Sequence, residues 1–264
     1  MNVAITGGTG TVGREVTKEL ARRGHAVRVL TRGVGGWLPA GATHHRVDLA
    51  TGAGLDAALA GVDVVVDASN AGPDPAAAEA VLVDGGRRLL AAARAAGVAH
   101  HVGVSIVGID RVPAPYYRVK LAQEEVIRGG GVPWTIVRAT QFHDLVASVF
   151  AGEARISLLA DAAFPLQPVD VREVAVVLAD TAEAEPSGAI TQFAGPEVRT
   201  VRELAETWRL ETGRPACIAP VPVPDDVGEA LRAGGLTNPG AWKGRVAFGE
   251  WLRERAPAAL EGVA

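Results

Sequence analysis

The segment TGGTGTVG (6–13) follows the apolar run NVAIT (2–6) and contains two overlapping glycine patterns. One is G-x-x-G-x-x-G from Gly7, the other is G-x-G-x-x-G from Gly8, and both end at Gly13. Glycine is needed where such a turn is tight, where backbone approaches a pyrophosphate, and where a helix packs closely on a strand. The pattern lies at the first strand-to-helix turn, where a helix N-terminus offers free N–H groups to phosphate. The residues predicted to bind a dinucleotide here are Gly7, Thr9, Gly10, Thr11, Val12 and Gly13.

Strand and helix patterns alternate from this turn to about residue 140. The predicted strands are apolar, β-branched runs at 2–6, 26–31, 44–49, 62–69, 100–108 and 134–140. The predicted helices between them lie at 11–23, 53–60, 75–96 and 115–129. Continuous apolar strands are typical of a parallel sheet that is covered on both faces. The sequence therefore predicts a Rossmann-type α/β fold with a doubly wound parallel sheet.

The pattern changes after residue 140, where prolines separate shorter elements. Helices are predicted at 170–181, 200–212 and 244–255, the first two capped by Asp170 and Thr200, and a strand at 188–194. We predict two domains: a dinucleotide-binding domain over 1–139 and a smaller, intertwined substrate-binding lobe over 140–264.

Composition restricts the class of function. The formal net charge of −4 argues against nucleic acid as the main partner. A single cysteine, Cys217, excludes an intramolecular disulfide framework and fits a reducing cytosol. No targeting segment and no apolar stretch near the ~20 residues of a membrane span is found. We expect a cytoplasmic protein with a small-molecule substrate, no metal and no membrane partner, while the oligomeric state stays open.

The end of the second predicted strand indicates which dinucleotide is bound. An NAD site usually carries Asp or Glu there for the ribose 2′-hydroxyl, whereas this chain has Thr31 and Arg32. A guanidinium suits a 2′-phosphate, and Arg14 offers a second contact. NADP(H) is therefore favoured, with NAD(H) possible. Four further residues are predicted to border the adenine or the phosphates: Asp48, Leu49, Ala68 and Ser69.

Several motifs together resemble the short-chain dehydrogenase/reductase superfamily. The matching pieces are TGGTGTVG (6–13), VSIVG (104–108), Y-x-x-x-K from Tyr116 to Lys120, VRATQFHDL (137–145) and QPVDVREVA (167–175). They are most similar to the extended or atypical branch, which includes NAD(P)H-binding proteins similar to the nitrogen-metabolite repression regulator.

That resemblance implies a hydride transfer to or from a carbonyl or alcohol of a small organic molecule. Tyr116 would be the acid or base, and Lys120 would lower the pKa of the Tyr116 phenol and hold the nicotinamide ribose. Ser105 would orient the substrate oxygen. Asp84 stands where many relatives carry an asparagine that supports the lysine.

Two alternatives remain open: a redox sensor or regulator that binds the cofactor without consuming it, and a non-redox isomerase or cyclase on the same fold.

The segment after the sixth strand supplies candidate substrate contacts. Gln141, Phe142 and His143 follow its carboxyl end, which is where a doubly wound sheet places its ligands. His143 has a side chain that titrates near neutrality, although a structural role is the commoner one for such a histidine.

Overall fold

The computed structural model describes residues 1–33, 36, 38–72, 74–154, 156, 159–218 and 221–255. The chain divides into two compact units, of which the first comprises Met1–Ala139 and Val171–Gln192. The second comprises Thr140–Asp170 and the chain from Phe193 onward. The segment 171–192, which the sequence assigns to the lobe over 140–264, thus belongs to the first unit.

The first unit is built on a sheet flanked by helices. Its strands are β1 (Asn2–Thr6), β2 (Ala26–Thr31), β3 (Ala42–Arg46), β4 (Val64–Asp67), β5 (His100–Ile106), β6 (Trp134–Ala139) and the start of β8 (Ile190–Ala194). Its helices are α1 (Thr11–Arg22), α2 (Leu55–Leu59), α3 (Pro75–Ala78), α4 (Gly85–Ala95), α5 (Pro115–Gly129) and α7 (Val171–Glu183). A π-helical segment, Glu79–Asp84, joins α3 to α4.

These strands lie in the order β8-β6-β5-β4-β1-β2-β3. The ladders from β6 to β3 are parallel, and Thr6 of β1 pairs with Leu30 on one side and Asp67 on the other. Because the strands are parallel, their carboxyl ends meet along one edge of the sheet, as a doubly wound fold requires. The predicted Rossmann-type α/β fold is confirmed.

Burial explains why the central strands form where the sequence predicts them. Val3, Ala4 and Ile5 of β1 are fully buried, and the four residues of β4 are all buried. The third strand differs: it spans Ala42–Arg46 rather than 44–49, and none of its residues is fully buried. It lies at the sheet edge, so its sequence carries little apolar signal to fix its limits.

The second unit contains short strands and an aromatic core. Its helices are α6 (His143–Phe150), α8 (Val201–Thr212), α9 (Asp225–Arg232) and α10 (Phe248–Arg255). β7 (Pro165–Leu166) and β9 (Arg199–Thr200) pair antiparallel, and β10 (Trp242–Lys243) pairs with Phe193–Ala194 at the end of β8. The predicted cap at Thr200 is confirmed as a capping box with Glu203.

Among the described residues, none of the helices combines the length and apolar character needed to cross a membrane.

Candidate functional site

The glycine turn between β1 and α1 forms a closely packed cradle. Gly7 has a φ of 64°, and a side-chain carbon at this position would overlap the carbonyl oxygen of Ala68. A side-chain carbon on Gly13 would overlap the carbonyl oxygen of Gly7 and the backbone of Gly8. α1 begins at Thr11 with no acidic residue in its first turn, so its free N–H groups form an unopposed positive end. The turn therefore has the shape and charge of a pyrophosphate site.

Two arginines lie near this cradle along the chain. Arg14 is in the second half of the first turn of α1, and Arg32 follows the end of β2, the strand that pairs with β1. Both are exposed, and neither forms an ion pair with any residue in the described part of the chain. These guanidinium groups are consequently available to an anionic ligand.

The other predicted cofactor contacts belong to loops that follow β3 and β4. The Asp48 carboxylate accepts a hydrogen bond from the Ala50 N–H at 3.0 Å and so shapes the loop after β3. Leu49 is partly buried and packs against the apolar core of the first unit. Ala68 lies directly under Gly7, and the Ser69 N–H donates to Asp67 Oδ1 at 3.1 Å.

Lys120 is buried at the carboxyl end of β5. Its Nζ donates to the carbonyl oxygen of Val104 at 2.9 Å and to Gln123 Oε1 at 2.6 Å. Burial lowers the pKa of Lys120 to about 8, although the carboxylates of Asp67 and Glu124 oppose this change. An ammonium has three N–H donors, so one remains for a ligand.

Tyr116 lies one helical turn before Lys120, and its hydroxyl donates to Asn70 Oδ1 at 2.9 Å. Asn70 belongs to the loop after β4 that also contains Ala68, so the phenol is held close to the loop that supports the glycine turn. Burial raises the pKa of Tyr116. The expected lowering of this pKa by Lys120 stays a prediction.

Tyr117 packs against the Tyr116 ring at 5.9 Å between centroids, and burial raises its pKa as well. Its position agrees with a packing role.

Ser105 does not have the contacts expected of a residue that orients substrate. It is only 4% exposed, and its hydroxyl donates to Glu124 Oε1 at 2.5 Å. The guanidinium of Arg138 binds both oxygens of Glu124 at 2.8 Å, and hydrogen bonds to Glu124 raise the pKa of Arg138. In this structure the serine hydroxyl thus contacts a buried ion pair, and its role in orienting substrate stays a prediction.

The Glu124–Arg138 pair gives a stability prediction. We expect Arg138→Met to lower the free energy of unfolding by about 3–5 kcal/mol, because the buried Glu124 carboxylate loses its countercharge. The double variant Arg138→Met/Glu124→Met removes both charges and should be clearly more stable than Arg138→Met alone. Urea denaturation of both variants measures this, and a double variant no more stable than the single one would contradict the ion-pair interpretation.

Asp84 is 50% exposed at its side chain and pairs with Arg87 at 2.7 Å at the end of the π-helical segment. Gln123 and the Val104 carbonyl instead contact the lysine, so Asp84 has no direct part in holding it.

The three candidate substrate contacts fall in the second unit, and two are buried there. Gln141 is 5% exposed; it donates to the Leu236 carbonyl at 2.9 Å and accepts from the Gln167 N–H at 3.0 Å. His143 is fully buried, with Nε2 3.0 Å from the Val246 carbonyl oxygen. Both side chains thus have internal hydrogen-bond partners, and their contact with a substrate stays a prediction. Phe142 is partly exposed and stays a candidate.

Sequence reasoning missed four residues of this site. Asn70, Asp67, Gln123 and Glu124 were not singled out, although two signals were available. Asp67 ends the otherwise apolar strand VVVD, and Gln123 and Glu124 lie at the third and fourth positions after Lys120, hence on its side of the helix.

Comparison with known proteins places this geometry in context. A family described as NAD(P)H-binding matches residues 7–185. The (4-alkanoyl-5-oxo-2,5-dihydrofuran-3-yl)methyl phosphate reductase of Streptomyces griseus subsp. griseus is 35% identical over 229 residues, covering 81% of this chain and 74% of that protein.

Two solved structures share the fold at low sequence identity. UDP-glucose 4-epimerase of Thermus thermophilus in complex with NAD superposes with a TM-score of 0.75 at 22% identity, covering 96% of this chain and 97% of that one. The NADPH-dependent quinone oxidoreductase QOR2 of Escherichia coli, complexed with NADPH, gives a TM-score of 0.73 at 20% identity, covering 96% and 99%.

Proposed function

The chain belongs to the NAD(P)H-binding family of short-chain dehydrogenase/reductase type, and on that premise we propose that it is an NADP(H)-dependent oxidoreductase. Its substrate is a small organic molecule with a carbonyl group, or the corresponding alcohol. When bound, the cofactor supplies or accepts a hydride at its nicotinamide ring.

The residues around the glycine turn fit this cofactor. The cradle leaves no room for a side chain at Gly7 or Gly13, as a backbone that binds pyrophosphate requires. The positive N-terminus of α1 complements the pyrophosphate, and Arg32 with Arg14 complements a 2′-phosphate. Asp48 and Leu49 would border the adenine, and Ala68 and Ser69 would adjoin the phosphates.

Tyr116 is the proton donor in the direction of reduction. In that direction the Tyr116 hydroxyl would give its proton to the carbonyl oxygen, which becomes an alcohol oxygen, and the tyrosinate would then recover a proton from solvent. Lys120 would stabilise the tyrosinate, and its remaining N–H would hold the nicotinamide ribose.

The observation that carries this proposal is the hydrogen bond from the Tyr116 hydroxyl to Asn70 at 2.9 Å. It fixes the phenol beside the loop after β4 that supports the glycine turn, while Lys120 lies at the end of the adjacent β5. A proton donor, a buried cation and a phosphate cradle therefore share the carboxyl edge of the sheet, where ligands of this fold bind.

The experiment follows the absorbance of NADPH with a panel of carbonyl compounds that includes ketones, quinones and acyl-dihydrofuranone phosphates, the last group chosen from the name of the Streptomyces relative. Consumption of NADPH that depends on one of these compounds is expected. Tight NADPH binding without consumption across the panel would contradict the proposal and favour a sensor.

Arg32 provides a test of cofactor choice. We expect Arg32→Glu to weaken NADPH binding by about 10–100-fold, since a charge-assisted contact worth about 1.5–3 kcal/mol is lost and a repulsion is added. Affinity for NADH should change little. Fluorescence titration with both cofactors measures this, with Arg22→Ala on the exposed face of α1 as a control. Equal losses of affinity for NADPH and NADH would show that Arg32 does not bind the 2′-phosphate.

A further inference from the structure

Behind Lys120 lies a buried hydrogen-bonded bridge that ends at a carboxylate. Lys120 Nζ donates to Gln123 Oε1 at 2.6 Å, and Gln123 Nε2 donates to Asp67 Oδ2 at 3.2 Å. All three side chains are at most 4% exposed. The amide of Gln123 thus joins the cation of α5 to the carboxylate that ends β4.

The other oxygen of Asp67 is bound to the strand and loop at the opposite side. Asp67 Oδ1 accepts from the Thr6 hydroxyl at 2.5 Å and from the Ser69 N–H at 3.1 Å. The next residue, Asn70, accepts the hydrogen bond from Tyr116. The Asp67 carboxylate is therefore linked to Lys120 through the Gln123 side chain. It is linked to the loop that holds Tyr116 through the Ser69 N–H.

We propose that Asp67 and Gln123 are positioning residues: they hold Tyr116 and Lys120 in place relative to the loop after β4, and they keep Lys120 in its ammonium form. This inference rests on the roles proposed above for Tyr116 and Lys120, and it assigns to this pair the support that Asp84 does not give.

Among the charged groups around Lys120, we expect Asp67 to contribute most to keeping the lysine protonated. Burial lowers the pKa of Lys120, whereas Asp67 on β4 and Glu124 on α5 raise it. The Glu124 charge is already balanced by Arg138 on β6. Near Asp67 on β5, burial lowers the pKa of His101, while the charge of Asp67 raises it.

Asp67 itself stays ionised despite its burial. Desolvation would raise its pKa, but the charge interaction with His101 and the hydrogen bonds from Ser69 and Thr6 together lower it. Asp67 is thus an ionised carboxylate whose charge raises the pKa of the buried Lys120.

Three variants separate positioning from simple structural support. Gln123→Leu retains most of the side-chain volume but removes both hydrogen bonds. Asp67→Asn retains the shape and removes the charge. The double variant Asp67→Asn/Gln123→Glu exchanges carboxylate and amide, so that Glu accepts from both Lys120 and the new asparagine and the total charge is unchanged. Glu125→Gln, on the exposed side of α5, is the matched control.

The readout is the dissociation constant of NADPH by fluorescence between pH 6.5 and 10 in buffers of roughly constant ionic strength. The parent affinity should decline as pH rises through the pKa of about 8, because Lys120 loses its proton. In Gln123→Leu and Asp67→Asn this decline should move about one pH unit lower, the effect of one lost hydrogen bond or countercharge. The exchange variant should regain the parent's NADPH affinity at pH 7, and its affinity should decline at a higher pH than that of the parent.

The inference would be overturned if NADPH affinity declined at the same pH in the parent, Gln123→Leu and Asp67→Asn. It would also be overturned if the exchange variant bound NADPH no better than Asp67→Asn. If Asp67→Asn fails to fold, Gln123→Leu and the exchange variant decide the question. Because the readout is binding, it stands apart from turnover: shifted pH profiles in a protein that consumes no NADPH would support the positioning role and reject the proposed reaction.

Discussion

Tyr116→Phe is expected to lower kcat by about 10²–10⁴-fold, the usual contribution of a positioned general acid. The substitution removes only the hydroxyl that donates to Asn70, and the ring stays in place beside Tyr117. NADPH affinity should stay within about threefold of the parent, because the glycine cradle and Lys120 are unchanged. Steady-state kinetics with the best compound of the carbonyl panel measures kcat, and fluorescence titration measures binding.

Tyr117→Phe is the matched control for this experiment. It removes the same hydroxyl from the adjacent position on the same helix, where the ring has a packing role, and it should retain nearly the parent kcat. If Tyr116→Phe turns over as fast as Tyr117→Phe, Tyr116 is not the proton donor. If both variants lose activity while their thermal stability falls equally, the effect is one of folding rather than acid catalysis.

Gly13→Ala is expected to weaken NADPH binding by up to about 100-fold. The added methyl group would overlap the Gly7 carbonyl oxygen and the Gly8 backbone, so the turn has to open. Overpacking of this kind costs about 1–3 kcal/mol, and about 3 kcal/mol corresponds to roughly 100-fold in affinity when the distortion falls on the binding site itself. Isothermal titration measures the loss of NADPH affinity, and the melting temperature measures the cost of overpacking to stability.

Gly129→Ala provides the comparison, because nothing lies within 4 Å of a side-chain carbon placed there. It should bind NADPH like the parent and should be no less stable. Unaltered NADPH affinity in Gly13→Ala would show that the turn is not the pyrophosphate site.

The sequence predicts the fold and the glycine turn between β1 and α1 well, because both depend on local patterns. The limits of β1, β2 and α5 are the predicted ones, at Asn2–Thr6, Ala26–Thr31 and Pro115–Gly129. Short elements of the second unit are harder to predict. The sequence pattern predicts only candidate substrate contacts at the start of α6 (His143–Phe150) and no helix there, because eight residues give little helical periodicity.

The candidate site is less predictable because its contacts join residues far apart in sequence. Ser105 meets Glu124 across 19 positions, Gln123 meets Asp67 across 56, and Tyr116 meets Asn70 across 46. No local pattern distinguishes a serine that orients substrate from one that donates to a buried ion pair. His143 shows the same limitation: its place after β6 indicates a ligand contact, but the aromatic rings of α10 enclose it.

Hydride transfer itself can be followed with NADPH deuterated at C4 of the nicotinamide. After incubation with the preferred carbonyl compound, mass spectrometry of the product should detect one deuterium on the former carbonyl carbon with one of the two C4 epimers of the cofactor. The Tyr116→Phe variant should form far less of this product. Product without deuterium from either epimer, or tight binding of both with no product at all, would contradict the assignment of this protein as an NADP(H)-dependent oxidoreductase.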